Sequence, residues 1–270
     1  MRWQKTILNL ATLSFTLCLG MAIFSKLPMR VQAQTRPILL PQNTGNSWEI
    51  AQAFQPPNRG APSVTAGGAS RGSSCRKDSD TKSLTALIPK DSFGLTLTNN
   101  PKFFFYIPET SAQAGEFVLK NDQDEDIYRK TFTIVGIPGI VSFNPLAEAN
   151  IPPLQADKNY KWFFSLICDS NNRLEDIFVQ GWLQITQPDA TLTSQLKEAQ
   201  DRDRLTVYAK NGIWYDAVTT IAELRRKDPN NTDLQNSWME LLKSVGLESV
   251  SSEPLIDCCK PANTTTATSP

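Results

Sequence analysis

The hydrophobic pattern changes twice along the chain and divides it into three parts. Residues 1–83 show no regular period apart from one apolar run near the start. Residues 84–187 carry short aromatic and β-branched runs, and residues 190–247 repeat apolar positions every three or four residues. Short runs between turn residues indicate β-strands, whereas the three- and four-residue spacing indicates amphipathic helices. The middle part is therefore the predicted centre of the fold.

The middle part contains eight predicted strands, each bounded by Pro, Gly, Asn or Asp turns. They cover residues 84–88, 94–98, 103–107, 116–120, 127–134, 140–143, 160–168 and 176–186. No helical segment of ten residues lies between them, which argues against a parallel α/β sheet. We predict a mainly β fold with α: an immunoglobulin- or fibronectin-like β-sandwich over 84–187, followed by a small three-helix C-terminal attachment. A closed barrel is the alternative.

The last predicted strand shows which side chains share a face. The core-facing set is Ile177, Val179, Gly181, Leu183 and Ile185, because alternate residues of a strand point to the same side. Phe178 and Trp182 fall on the opposite, mixed face. Aromatic rings on a sheet surface stack on sugars or receive a partner protein. Phe178 and Trp182 are therefore the candidate ligand-binding residues, and burial under the helices or in the core is the alternative.

Three helices are predicted over residues 190–247, at 194–210, 214–227 and 233–245. The first two resemble a single tetratricopeptide-type hairpin, and the third closes its exposed side. The predicted seam residues are Tyr208, Gly212, Trp214, Ala217, Ile221 and Leu224. Gly212 permits the tight turn, and Ala217 lets the helices approach closely. Only one copy of this hairpin is present in the sequence. The helices therefore either form a cap that packs on itself and on the β domain, or they present a peptide-binding groove.

The first 33 residues predict export. Arg2 and Lys5 precede an apolar run over 7–24, and the segment ends in Val31-Gln32-Ala33. This is the pattern of a secretory signal cleaved after Ala33, which places the protein in the periplasm or outside the cell. An uncleaved, membrane-anchored form is the alternative. Residues 34–83 are predicted to be a disordered Pro/Gly/Ser-rich linker, and 248–270 a disordered tail.

Four cysteines follow the leader and allow three pairings. Cys75 ends the linker and Cys168 ends a core strand, so a disulfide between them would hold the linker to the β domain. We predict that pair. Cys258 and Cys259 are adjacent in the tail, where a strained mutual bond, intermolecular bridges, a soft metal and an inert pair all remain open.

Composition removes several classes of function. The chain has no histidine, which excludes Ser-His-Asp and Cys-His catalysis and imidazole metal sites. Residues 34–270 hold 27 − 4 = 23 basic and 27 acidic side chains, so no basic surface predicts nucleic acid. The glycines at 67–72 lack the Lys-Ser/Thr of a nucleotide loop. The acids at 122–126 lack the later Gly and Glu of a calcium loop. We predict no metal, cofactor, nucleotide or nucleic acid.

Several motifs resemble a known family. They are Arg59-Gly-Ala-Pro62, Arg71-Gly-Ser-Ser-Cys75, Phe103-Phe-Phe-Tyr-Ile-Pro108, Gly136-Ile-Pro-Gly-Ile140, the stretch from Trp162 to Asp169, and Gly181-Trp182. Together they are similar to exported cyanobacterial proteins catalogued as domain of unknown function 928, over residues 56–247. The resemblance implies export from a cyanobacterium. It implies no established activity and supplies no catalytic residues.

The expected function is that of an exported, non-catalytic interaction or structural module of the cell envelope. Its expected partner is another envelope or secreted protein. The alternative is a carbohydrate-binding sandwich that holds polysaccharide on Phe178 and Trp182. A histidine-independent hydrolase with paired carboxylates is the less favoured third reading, with Glu116, Asp157 and Glu175 as its candidate acids.

Overall fold

The computed structural model of the chain describes residues 54–57, 75, 82–134, 137–146 and 153–257. These ranges form a mixed α/β structure with nine strands in two sheets and four α-helices. The predicted leader over 1–33 lies outside the described residues, as do most of the predicted linker and the tail beyond residue 257.

The eight predicted strands are all found, and a ninth is added. The strands are β1 Thr85–Ala86, β2 Phe93–Thr96, β3 Phe103–Ile107, β4 Ala114–Lys120, β5 Asp126–Thr133, β6 Gly139–Phe143, β7 Asn159–Ile167, β8 Ile177–Ile185 and β9 Leu255–Ile256. One sheet has the order β1-β3-β6-β9, and the other has the order β2-β8-β7-β4-β5. β1 is shorter than predicted, with two residues.

Two strand pairs depart from the predicted antiparallel arrangement. β2 pairs with β8 in parallel, and β9 pairs with β6 in parallel. Parallel neighbours need a long connection rather than a hairpin, and both pairs join segments that are far apart in sequence. β9 also corrects the prediction that the whole tail, residues 248–270, is disordered. A 3-10 turn at Glu248–Val250 and β9 itself lie within the 248–270 segment that the sequence predicts to be disordered.

Aromatic contacts show that the two sheets pack face to face. The rings of Phe105 and Phe164 are stacked with centroids 4.0 Å apart, and Phe103 meets Trp162 at 5.6 Å. These pairs join β3 to β7 across the core. Gly181 makes room for the largest of the rings, because a Cβ there would lie 2.3 Å from the Trp162 indole. Of the residues predicted to face the core on β8, Val179, Gly181, Leu183 and Ile185 are buried and Ile177 is half-buried. Gln180 and Gln184 on the opposite face are buried as well.

Four helices stand where the sequence predicts three: α1 Ala190–Glu198, α2 Asp201–Lys210, α3 Trp214–Lys227 and α4 Thr232–Ser244. The predicted helix over 194–210 is interrupted at Ala199, whose ψ of 135° is extended. The break lets the two halves bury separate faces, with Leu192 in one apolar cluster and Leu205 in the other. None of the helices within the described ranges is long and apolar enough to cross a membrane.

The start of α3 is inserted into the β core. Trp214 is fully buried, and its indole Nε1 donates to the Leu87 carbonyl at 2.8 Å. The Tyr215 hydroxyl accepts from Trp162 Nε1 at 2.7 Å and donates to the Trp182 carbonyl at 3.0 Å. Burial raises the pKa of Tyr215, which keeps the hydroxyl protonated as a donor. The helical end and the sandwich therefore share one core.

The insertion of α3 into the β core changes the role of the seam residues, which were predicted to pack between the first two helices. Trp214 packs on the sandwich and on Phe54 rather than only between two helices. Ala217 and Ile221 are fully buried, while Tyr208 and Leu224 are half-buried. Gly212 has a φ of +69°, and a Cβ there would lie 2.7 Å from the Gln55 carbonyl oxygen. That turn therefore requires glycine for its backbone angle and for its close contact.

A disulfide joins Cys75 to Cys168, the pair that their positions predict. The two Cα atoms are 5.1 Å apart and 93 residues apart in sequence. The Cys75 carbonyl accepts hydrogen bonds from Thr110 Oγ1 at 2.7 Å and from the Ser111 amide at 2.9 Å. The bridge thus attaches a residue of the predicted linker to the end of β7.

Candidate functional site

The outer face of the five-stranded sheet brings together the aromatic residues singled out by the sequence. The strand register sets Phe163 between Val118 and Gln180, and it pairs Lys161 with Trp182. These side chains point away from the other sheet, because their neighbours along each strand fill the core. Phe178 lies in the same layer.

Helices pack on one end of this face. Phe93, Leu95, Leu192 and Ile213 form a second apolar cluster, which joins β2 to α1 and to the start of α3. The Trp182 ring packs against this cluster and is half-buried. Its indole Nε1 has no hydrogen-bond partner among the described residues. Trp182 therefore contributes to the packing of the helices on the sheet, which was the alternative reading of this residue.

The remaining end carries the residues we call the outer patch: Lys161, Phe163 and Phe178. Val118, which pairs with Phe163, is buried. Phe163 and Phe178 are half-buried, with ring centroids 6.3 Å apart and planes inclined by 52°. Lys161 Nζ lies 4.8 Å from the Phe163 centroid and 5.6 Å from the Trp182 centroid. The patch is an apolar surface with one ammonium group set among its rings.

Ion pairs border the outer patch. Glu116 Oε1 accepts from Arg129 Nη1 at 2.8 Å and from Arg173 Nη2 at 3.0 Å. Arg129 also pairs with Asp126, and Arg173 Nε donates to Asp176 at 2.6 Å. The hydrogen bond from Arg129 lowers the pKa of Asp126. Three segments of the chain, β4, β5 and the β7–β8 turn, are tied together by this network.

Two of the acids considered for a hydrolase, Asp157 and Glu175, lie far apart, and the third, Glu116, is held in ion pairs. Glu116 is held by two guanidinium groups. Glu175 lies two residues before β8, whereas the Asp157 amide donates to the carbonyl of Ile185 at the other end of that strand. Eight residue steps of about 3.3 Å separate those ends, far beyond the spacing of catalytic carboxylates.

The acidic 122–126 segment forms the turn between β4 and β5, as the sequence predicts. Asp122 lies 3.4 Å from Lys158, and Asp124 lies 3.3 Å from Lys120. The carboxylates are thus compensated by cations. Within the described ranges, no group of three Cys, Asp or Glu side chains is arranged to hold a metal ion.

The family model described as Domain of Unknown Function (DUF928) matches residues 66–255, which is more than half of the chain. The chain belongs to this family. In this DUF928 protein the match includes both sheets and all four helices. A comparison with curated proteins finds no match. The family description assigns no activity, so the function has to be argued from the surface.

A cleft lies between α1 and α2 of the DUF928 fold. It encloses about 630 Å³ and is lined by Leu192, Val207 and polar residues that include Asp189, Glu198 and Asp203. The cleft lies within the segment predicted as the first helix, and not between the two helices of the predicted hairpin, which correspond to α2 and α3. Its apolar floor is narrow, because Leu192 is already buried against the sheet.

Two features of this region are not among the predicted residues. Lys161 was not singled out, although its alternation with Phe163 places both on one face. Asp216 was also missed, and it connects α3 to the edge strand. Asp216 Oδ2 accepts from Thr96 Oγ1 at 2.7 Å and from the Leu97 amide at 3.1 Å. Burial raises the pKa of Asp216 above its ordinary value of 3.8, in spite of these bonds.

The raised pKa of Asp216 predicts a pH-dependent contribution to stability. The folded chain binds the proton more tightly than the unfolded chain, so this contribution is complete below about pH 3.8 and is lost as the pH rises through the folded pKa. Asp216→Asn keeps an oxygen acceptor but cannot ionise. We expect the stability of the wild type relative to Asp216→Asn to fall as the pH rises from 4 to 7, measured by urea unfolding. A difference that is constant with pH, or that grows, would contradict this assignment.

Proposed function

We propose that this chain is an exported, non-catalytic interaction module of the cell envelope. In this proposal it binds another envelope or secreted protein through the outer patch. The observation that carries the proposal is the arrangement of the patch: Phe163 and Phe178 side by side, Lys161 over the Phe163 ring, and a border of ion pairs centred on Glu116.

The arrangement matches the anatomy of protein interfaces. Such interfaces have an apolar, aromatic centre and a polar rim, and a few central side chains supply most of the binding energy. The rings of Phe163 and Phe178 are already half-buried by their neighbours. They therefore lose little side-chain entropy when a partner covers them. The salt-bridged rim fixes the border of the surface.

Export is supported by two independent features. The first 33 residues have the pattern of a secretory signal. The disulfide between Cys75 and Cys168 belongs to an oxidising compartment such as the periplasm or the cell exterior. The compartment in turn restricts the partner, which has to be reached outside the cytoplasm.

A protein partner suits this surface better than a polysaccharide. Sugar-binding platforms present open rings to the flat faces of the saccharide. Here the planes of Phe163 and Phe178 are inclined by 52°, and Trp182 is packed against the cluster under α1. An uneven aromatic surface of this kind fits the side chains of another protein.

The test is affinity capture of the full-length chain, carrying a C-terminal tag and expressed in the organism that encodes it. The variants are Phe163→Ser and Phe178→Ser. The control is Met239→Ser, because Met239 is an exposed apolar residue of α4, 39% accessible. We expect the wild type and the control to retain the same envelope protein. Each patch variant should lose most of it while remaining folded, as checked by circular dichroism at the temperature of capture.

Two results would overturn the proposal. One is capture of the same protein in equal amount by all four chains, which would place the contact elsewhere. The other is recovery of polysaccharide without protein, lost in the patch variants. The mass of the captured chain also checks export, because cleavage after Ala33 removes residues 1–33.

A further inference from the structure

The turn between β7 and β8 presents the most exposed large apolar side chain in the described part of the protein. Leu174 is 95% accessible, compared with 59% for Ile137. It stands within a polar turn, Asp169-Ser-Asn-Asn-Arg-Leu-Glu-Asp176. A single exposed leucine is ordinary on a protein surface and means little by itself. Leu174 differs from such a residue because its turn is held by its own hydrogen bonds, adjoins the outer patch and is acidic.

The Leu174 turn, residues 169–176, is held in one shape by its own side chains. The hydrogen bonds within it join the Asn171 amide to Asp169 Oδ1 (2.8 Å), Asn172 Nδ2 to Glu175 Oε1 (2.9 Å) and Arg173 Nε to Asp176 Oδ2 (2.6 Å). Residues Arg173–Glu175 form a 3-10 turn. The leucine is thus presented on a preorganised support.

The base of the turn is attached at two further points. Cys168, the residue before it, is bonded to Cys75, and its amide donates to Asp176 Oδ1 at 3.3 Å. Arg173 Nη2 reaches Glu116 at 3.0 Å, on the rim of the outer patch. The Leu174 turn is therefore an extension of that rim. The salt bridge from Arg173 to Glu116 joins it to the rim of the patch, and the disulfide joins its base to Cys75.

The turn is also acidic. It contains Asp169, Glu175 and Asp176 against Arg173 alone, which gives −3 + 1 = −2. A partner surface that receives the turn is favoured if it carries lysine or arginine around the contact. Charge and shape together define the complementary site as a small apolar pocket with a basic border.

We propose that Leu174 is the anchor side chain by which this module holds its protein partner, entering an apolar pocket bordered by lysine or arginine. The inference rests on the proposed function and adds the chemistry of the partner. A preorganised anchor spends little entropy on binding, and an aliphatic side chain that becomes buried in a pocket of the partner contributes to affinity. The outer patch supplies the adjoining contact area.

Site-specific photocrosslinking tests the proposal in the full-length chain, expressed in the organism that encodes it. A benzophenone amino acid is placed at position 174, at position 163 in the outer patch, or at the exposed control position 137. We expect a defined adduct from 174 and from 163, and none from 137. Separately, Leu174→Ser should reduce partner capture by about tenfold or more, while Ile137→Ser leaves it unchanged. The yield of Leu174-dependent capture should fall with added salt.

Each other outcome is decisive. An adduct from 163 with none from 174, or full capture by Leu174→Ser, overturns the anchor and leaves the proposed function standing. Absence of adducts from both 174 and 163 overturns the two together. An adduct at 174 whose mass is that of two copies of this chain assigns the turn to self-association and overturns the separate partner. Capture that does not change with added salt overturns the inference that lysine or arginine borders the partner's pocket.

Discussion

Replacing Trp214 by alanine is expected to lower the free energy of unfolding by about 3 to 5 kcal/mol. The indole is fully buried, packs edge-on against Phe54 with centroids 4.9 Å apart, and donates to the Leu87 carbonyl. Its removal leaves a cavity at the point where the helices enter the sandwich. It also leaves the buried carbonyl of Leu87 without this donor, which adds to the cost.

Urea unfolding followed by two probes measures the effect and its location. Far-ultraviolet circular dichroism follows the helices, and near-ultraviolet circular dichroism follows the aromatic core. Because Trp214 joins the helical end to the sandwich, both signals of Trp214→Ala should shift together to lower urea. Trp214→Phe is the matched control, since it keeps a ring beside Phe54 and should lose less. If the far-ultraviolet transition of Trp214→Ala moved to lower urea and the near-ultraviolet transition did not, Trp214 would stabilise only the packing between helices.

Removal of the disulfide is expected to lower the free energy of unfolding by about 2 to 5 kcal/mol. The bond closes a long loop, because Cys75 and Cys168 are 93 residues apart. Cross-linking so distant a pair restricts the unfolded chain, and the loss of that restriction favours unfolding. The double variant Cys75→Ala/Cys168→Ala should therefore unfold at lower urea than the wild type.

The reductant response provides the control for this prediction. Dithiothreitol should bring the wild type to the stability of the double variant and leave the double variant unchanged. Cys258→Ala/Cys259→Ala should behave like the wild type in both conditions. Equal stability of the oxidised and reduced wild type, with reduction verified by thiol titration, would contradict a stabilising role for the bond.

The positions of the strands could be predicted because alternation and turn residues are local properties of the sequence. The pairing of the strands could not. β2 lies beside β8, and β9 beside β6, through contacts between segments that no local pattern relates. The interruption of the predicted 194–210 helix also carries no glycine or proline signal. On either side of the break the helices pack into different apolar clusters, with Leu192 of α1 in one and Leu205 of α2 in the other.

The candidate site was partly predictable for the same reason. The two-residue period places Phe178 and Trp182 on one face, and the structure agrees. Whether a helix covers Phe178 or Trp182 depends on how α1 packs, and the two-residue period carries no information about that packing. The Glu116 network draws its residues from three segments and gives no local signal. The sequence shows Leu174 as an apolar residue in a polar stretch. The turn prediction rests on the polar residues and does not say whether the leucine is exposed.

The most direct test of the central claim is hydroxyl-radical footprinting of the full-length chain, alone and with its captured partner. The method reports the exposure of individual side chains. The account predicts that Phe163, Phe178 and Leu174 lose reactivity when the partner is bound, while Met239 on α4 and Val207 in the α1–α2 cleft do not change. Protection of Val207 with unchanged reactivity at Phe163 and Phe178 would contradict it and would place the interaction in the helical cleft.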